Sequence, residues 1–131
     1  MSAYEVFEVN YTDAECLADA LRDIGFTNVE VHKDAQHLFD YHGKVRPQKA
    51  HVIVRRQYIE KASNDAGWQF FNGTCYAHIS DFDRDRKFAP DVQKQLTMKY
   101  TERYVGKVTK GWKEKARTVE PDGSIRIRLT Q

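Results

Sequence analysis

Three carboxylates at alternate positions, Asp81, Asp83 and Asp85, have the spacing with which a calcium-binding loop opens, where oxygen ligands on every second residue close around one ion. Such a loop also needs glycine at its sixth position and a bidentate glutamate at its twelfth, and these positions hold Arg86 and Val92. With Arg84, Arg86 and Lys87 interleaved, the reading is a solvated loop whose acids are neutralised by local bases, and no metal is expected. The five histidines, His32, His37, His42, His51 and His78, form no HExxH pair and no clean ligand set with cysteine. No glycine-rich phosphate loop and no GxSxG elbow occurs. His78 alternates with Tyr76 and Ser80 on an expected strand, and together with Trp68 and Asp81 it makes a candidate pocket. The plainer reading of His78 is a partly exposed sheet histidine. These residues lead to the expectation of a protein that is not an enzyme and carries no cofactor.

Lys99, Arg103, Lys107 and Lys110 follow one another at intervals of four, four and three, which lines them along one face of a helix. Arg126 and Arg128, with Lys113, Lys115 and Arg117, add charge nearby in sequence. A face of this kind can track the phosphates of a nucleic acid or meet an acidic protein partner. Tyr41, Tyr58, Trp68 and Phe82 would then be stacking groups. Against this, Glu102 and Glu114 dilute the patch, and the sequence pI of about 8.5 lies below the value above ~9 of dedicated nucleic-acid binders. Lysine and arginine also fill the solvent face of any amphipathic helix. Charge is unevenly spread along the chain: residues 1–42 carry nine acids against Arg22 and Lys33, and residues 84–131 carry thirteen bases against six acids. Two readings stay open, a dipolar surface that meets an acidic partner and two halves that attract each other in the fold.

The elements that must position these groups are marked by local signals. Phe7, Val9 and Tyr11 alternate along a first strand. Thr12 and Glu15 have capping-box spacing, and Gly25 followed by Phe26 supplies a left-handed cap, so the spacing of Leu17, Leu21 and Ile24 predicts a helix over 13–24. Residues 27–31 read as a short strand, the stretch from His37 to Ala50 as an irregular connection, and 51–59 as another strand. Asn72 and Gly73 predict a two-residue hairpin turn. Pro90 opens a second helix that runs towards Lys110, and the turn at 121–123 predicts a closing hairpin. The order predicts an α+β fold: an antiparallel sheet with two helices packed on one face, in a ferredoxin-like (split βαβ) manner with extra hairpin strands.

The 131 residues, 40% hydrophobic and 31% charged, fit a single domain over 1–131. No stretch approaches the ~20 apolar residues of a membrane span, and residues 1–10 have no signal-peptide pattern. A soluble chain of the cytoplasm or plastid stroma is expected, with Cys16 and Cys75 as buried reduced thiols. An edge of the sheet is able to pair with a copy of itself, so a homodimer is a further expectation.

Several short blocks carry a resemblance: LADALRDIGF at 17–26, WQFFNG at 68–73, ISD at 79–81, LTMKY at 96–100 and DGSIRI at 122–127. In their order and content they resemble the uncharacterised hypothetical chloroplast reading frame thirty-five family of plastids, cyanobacteria and phages. Phe82 and Asp83 stand where that family has two tryptophans, and the segment between the second helix and the last hairpin looks shorter. The resemblance implies a soluble protein of a photosynthetic microbe, a plastid or a phage, and brings no activity with it. The sequence therefore points to a non-enzymatic protein-interaction or accessory module with a protein partner; the alternative is a nucleic-acid-binding domain that uses the basic face of the second helix.

Overall fold

The computed structural model describes residues 3–110 and 113–130, of which 113–119 and 125–130 are described as backbone alone. Strand β1 (Tyr4–Val9) leads into helix α1 (Ala14–Asp23), and four strands follow: β2 (Val29–Phe39), β3 (Val45–Val54), β4 (Ala66–Phe71) and β5 (Thr74–Ser80). A short helix α2 (Asp81–Arg86), a long helix α3 (Pro90–Val108) and the hairpin β6 (Lys113–Val119) and β7 (Ile125–Thr130) complete the chain. The first five strands form one antiparallel sheet in the order β1-β5-β4-β3-β2, and β6 with β7 forms a second sheet of two strands.

This order replaces the split βαβ, ferredoxin-like arrangement that the sequence suggested. In a split βαβ unit one strand lies between the two that flank the helix, whereas three strands lie between β1 and β2 here. The cause is local pairing. Strands β2 to β5 each pair with their sequence neighbour through turns at 40–44 and 72–73 and a longer connection at 55–65, a continuous meander that leaves β1 only the outer side of β5 to bond. Helix α1 must then pass across the sheet from one edge to the other.

Alternation along the strands divides the sheet into two faces. Val52, Val54, Trp68, Cys75, Ala77 and Ile79 point to the helices and pack with Leu17, Leu21, Phe88, Leu96 and Tyr100 in the main core. Leu17, Leu21 and Leu96 are fully buried, each contributing about 1.5–3 kcal/mol. Cys16 and Cys75 are buried free thiols, and burial pushes the Cys75 thiol up to about 12.

Helix α1 is capped one residue later than the spacing of Thr12 suggested. The Asp13 carboxylate accepts the Cys16 amide at 2.9 Å, while the Thr12 hydroxyl lies 3.4 Å from that of Tyr100, which also takes the Thr12 amide. Its end is as expected: Gly25 has φ +112°, and the Phe26 amide reaches back to the Leu21 carbonyl at 3.0 Å. Asn72 and Gly73 both have positive φ, at 50° and 78°, as the tight turn between β4 and β5 requires.

The stretch expected to be irregular, 37–50, is largely strand. Its polar residues show no hydrophobic alternation, yet pairing between β2 and β3 continues to Phe39 and Val45 through two register shifts. The Asp40 carboxylate organises the turn by accepting the amides of His42 and Lys44 at 2.9 and 3.0 Å. Leu38 then packs with Ala50 and Ile53 in a small cluster away from the main core. Gly67 makes room for this cluster: a Cβ there would stand 2.5 Å from that of Ala50 and about 3.0 Å from a Leu38 methyl. Gly67→Ala is therefore expected to cost about 1–3 kcal/mol, read as a fall in the denaturant midpoint, and Ala50→Gly in the same chain should recover part of that loss.

Candidate functional site

The alternate carboxylates do not form a ligand ring, because helix α2 sends them in different directions. Asp83 is buried, while Asp81 and Asp85 are exposed. The Asp83 carboxylate accepts the amides of Ser63 and Asn64 at 2.7 and 3.0 Å and the Ser80 hydroxyl at 2.8 Å. The Ser80 hydroxyl in turn accepts the Asp83 amide at 3.0 Å, which caps the helix. Asp83 is thus a clamp that holds the 63–64 loop to the end of β5. Among the described residues no group of three or more histidine, cysteine or acidic side chains is placed to hold a metal ion. Arg84 bonds Glu5 at 2.7 Å and lies over the Phe7 ring at 4.1 Å.

Lys99, Arg103 and Lys107 of the basic stripe lie on α3, with Lys110 beyond its end at Val108, and two of them are engaged by acids at α1. Arg103 donates to both oxygens of Asp23 at 2.6 and 2.9 Å, and Lys107 bonds the Asp13 carboxylate. Lys99 lies 3.7 Å from Glu102, and Lys110 is exposed. The side chains of Arg126 and Arg128 lie outside the described residues, as do those of Lys113, Lys115 and Arg117. Of the two readings of the lopsided charge, attraction between the halves is visible at this helix seam. The bond from Arg103 holds the Asp23 carboxyl below its usual range. Burial raises the Asp13 carboxyl, but the Lys107 bond and the Cys16 amide outweigh it and the net shift is downward.

Trp68, His78 and Asp81 do not converge. Trp68 is fully buried on the helix side of the sheet, edge-on to Phe88 at 5.7 Å. Ala77 is its cross-strand partner, so His78, one residue on, points to the opposite side. There His78 Nε2 lies 3.0 Å from Gln69 Oε1, and Nδ1 meets no partner among the described residues. Asp81 is exposed at the start of α2, its carboxylate accepting the Phe82 amide.

What the sequence reading missed is a cleft of roughly 560 Å³ between β1, α3 and the turn of the last hairpin. One wall runs along residues 7–12; Thr97, Tyr100, Thr101 and Tyr104 of α3 form the other, and Asp122 and Ser124 close one end. The Tyr100 hydroxyl oxygen accepts the amides of Thr12 and Asp13 at 2.8 and 3.0 Å. Its ring is stacked on Tyr104 at 5.9 Å and tilted against Tyr11 at 4.6 Å. The Tyr11 hydroxyl lies 3.1 Å from Thr97 Oγ1, and burial pushes its pKa up to about 12. Gly123, with φ +92°, seats the hairpin turn on α3, since a Cβ there would meet Lys94 at 2.5 Å. The spacing of Thr97, Tyr100, Thr101 and Tyr104 is a sequence signal for this wall, although it reads equally as ordinary core.

A second cavity of about 520 Å³ is walled by a satisfied ion network. Arg55 bonds both oxygens of Glu30, at 2.9 and 3.2 Å, as well as Asp65 at 3.0 Å and the His37 carbonyl at 3.0 Å. Asp65 also accepts the amides of Phe39 and Arg56 at 2.9 and 2.8 Å. These groups fasten the long hairpin to the sheet. Comparisons with protein-family models, with curated proteins and with solved structures give no match.

Two predictions follow from this geometry. In a double-mutant cycle of Asp23→Ala and Arg103→Ala, thermal unfolding should give a coupling of about 0.5–1 kcal/mol, reduced in 1 M salt because the pair is exposed. Burial lowers the pKa of His78 from its ordinary value near 6.5, so the unfolded chain takes up a proton before the folded one does. Stability should therefore decline as pH falls from about 7 through the folded pKa, and His78→Gln should reduce that decline in urea melts at pH 7 and pH 5.

Proposed function

We propose that this chain is a non-enzymatic protein-interaction or accessory module and that it binds its partner in the cleft between β1 and α3. The observation that carries this reading is the composition of the cleft wall: the edge of an outermost strand faces tyrosine rings and threonine hydroxyls across a cavity of roughly 560 Å³. Concave, mostly apolar sites with a few oriented polar groups are the usual form of a binding site. Its hydroxyls are ill suited to acid–base work. The Tyr100 oxygen is occupied by two amides, and burial pushes the Tyr11 hydroxyl up to about 12, away from the neutral range in which a general acid or base operates.

Nucleic-acid binding on the basic face is the reading this displaces. Phosphates approaching that face must compete with Asp23 for Arg103 and with Asp13 for Lys107. The resemblance of its sequence blocks to the reading frame thirty-five family is the ground for proposing a photosynthetic microbe, a plastid or a phage as the source, with the cytoplasm or stroma as the compartment.

The test is amide chemical-shift mapping with two probes, a degenerate decapeptide mixture and a mixed-sequence single-stranded oligonucleotide, each at 150 mM salt. The peptides are expected to shift the amides of Glu8, Thr97 and Thr101 and the oligonucleotide to leave the spectrum unchanged. Oligonucleotide shifts centred on Lys99 and Arg103, with none from peptides, would contradict the proposal.

A further inference from the structure

Resting on that reading of the cleft, we infer that the partner is an extended, basic peptide segment that adds to the outer edge of β1 as a sixth strand. The register shows which groups are available. The Ala3 carbonyl accepts the Asp81 amide at 2.8 Å, so Ala3 and Asp81 are a hydrogen-bonded pair in the antiparallel ladder that continues through Tyr4 and Ser80. Pairs of this kind alternate along the ladder. Glu5, Phe7 and Val9 therefore turn their amides and carbonyls towards β5. Those of Tyr4, Val6 and Glu8 point away from the sheet. Among the described residues no strand pairs with that side, since β1 ends the five-strand order.

An unpaired strand edge is a template for a further strand, and a groove beside it supplies pockets for alternate side chains. Here the cleft begins at Phe7 on β1 and extends to Thr12, with Thr97, Thr101 and Tyr104 facing it from α3. Six residues of strand span about 20 Å, enough to hold a peptide of similar length in register.

The charges fix the kind of peptide. Glu5 is engaged by Arg84 at 2.7 Å. Glu8 has no cation bonded to it among the described residues, and Asp122 stands at the cleft's end with its carboxylate accepting the Ser124 amide and hydroxyl at 2.9 and 2.6 Å. Among the described residues no lysine, arginine or histidine lines the cleft; Lys94 lies under Gly123. A lysine or arginine directly opposite Glu8 makes a favourable cross-strand pair, whereas an acid there is repelled. Val6, 53% exposed on the same side as Glu8, offers the neighbouring residue an apolar contact.

The experiment uses three labelled decapeptides: one alternating threonine and lysine, one alternating threonine and glutamate, and the lysine peptide N-methylated at alternate residues. Fluorescence anisotropy should show the lysine peptide binding at least tenfold more tightly than the glutamate peptide and N-methylation abolishing the interaction. Glu8→Lys, checked for an unchanged melting temperature, should reverse the charge preference. In amide spectra the Val6 and Glu8 amides should shift more than that of Phe7. Binding indifferent to N-methylation or to charge, with shifts still centred on the cleft, overturns the sixth-strand inference while leaving the interaction reading standing. Absence of shifts from every peptide overturns both. A doubling of mass with concentration in sedimentation, lost on Val6→Lys, would assign the edge to a second copy of this chain and likewise overturn the inference.

Discussion

The phenolic oxygen of Tyr100 accepts two backbone amides, those of Thr12 and Asp13, at the point where β1 gives way to α1. A helix start leaves its first amides without partners, and here one of the chain's own side chains, reaching from 88 residues away, satisfies part of that need. The bond decides several things together. It takes the amide to which a capping-box Glu15 would reach back, and it ties α3 to the start of α1. It also holds the Tyr100 ring between Tyr11 and Tyr104, all three of which line the cleft. Tyr100 is buried whereas Thr12 is exposed and Asp13 half-buried, so losing the hydroxyl would free its core end and leave the two amides to bond solvent instead.

The sheet imposes the complementary constraint. Once β2 to β5 pair with their sequence neighbours, β1 is left at the edge, and α1 must span the face between the outermost strands. Leu17 and Leu21 are buried by that crossing, and the acidic side of α1 is set against α3. There the two oppositely charged portions of the sequence meet, Asp23 with Arg103 and Asp13 with Lys107. Such exposed pairs contribute little individually, yet they orient the helices and occupy cations that a sequence reading would offer to phosphate.

Much of this was legible wherever a local physical rule had no competitor. Gly25 with Phe26, the Asn72–Gly73 turn and Pro90 each mark a boundary that backbone sterics enforce irrespective of tertiary context. The extension of β2 to Phe39 was hidden because pairing with β3 and the burial of Leu38 hold it, and neither leaves a periodic pattern. Helix α2 did carry a signal, serine at 80 followed three residues later by Asp83, which the alternate carboxylates masked. Trp68 and His78 were grouped by their chemistry, but hairpin register sends them to opposite faces. Of the basic spacing, Lys99, Arg103 and Lys107 fall on α3 and Lys110 beyond its end, and only the fold reveals that acids stand opposite Arg103 and Lys107. The cleft escaped detection because it is made of residues from three separate parts of the chain.

A sixth strand can add to the sheet only if the outer edge of β1 is open. Residue-resolved amide hydrogen exchange of the protein alone examines this most directly. Amides of Glu5, Phe7 and Val9, bonded to β5, should exchange slowly, and those of Val6 and Glu8 should exchange rapidly. Uniform protection from Glu5 to Val9 would contradict the claim, since the edge would then already be covered.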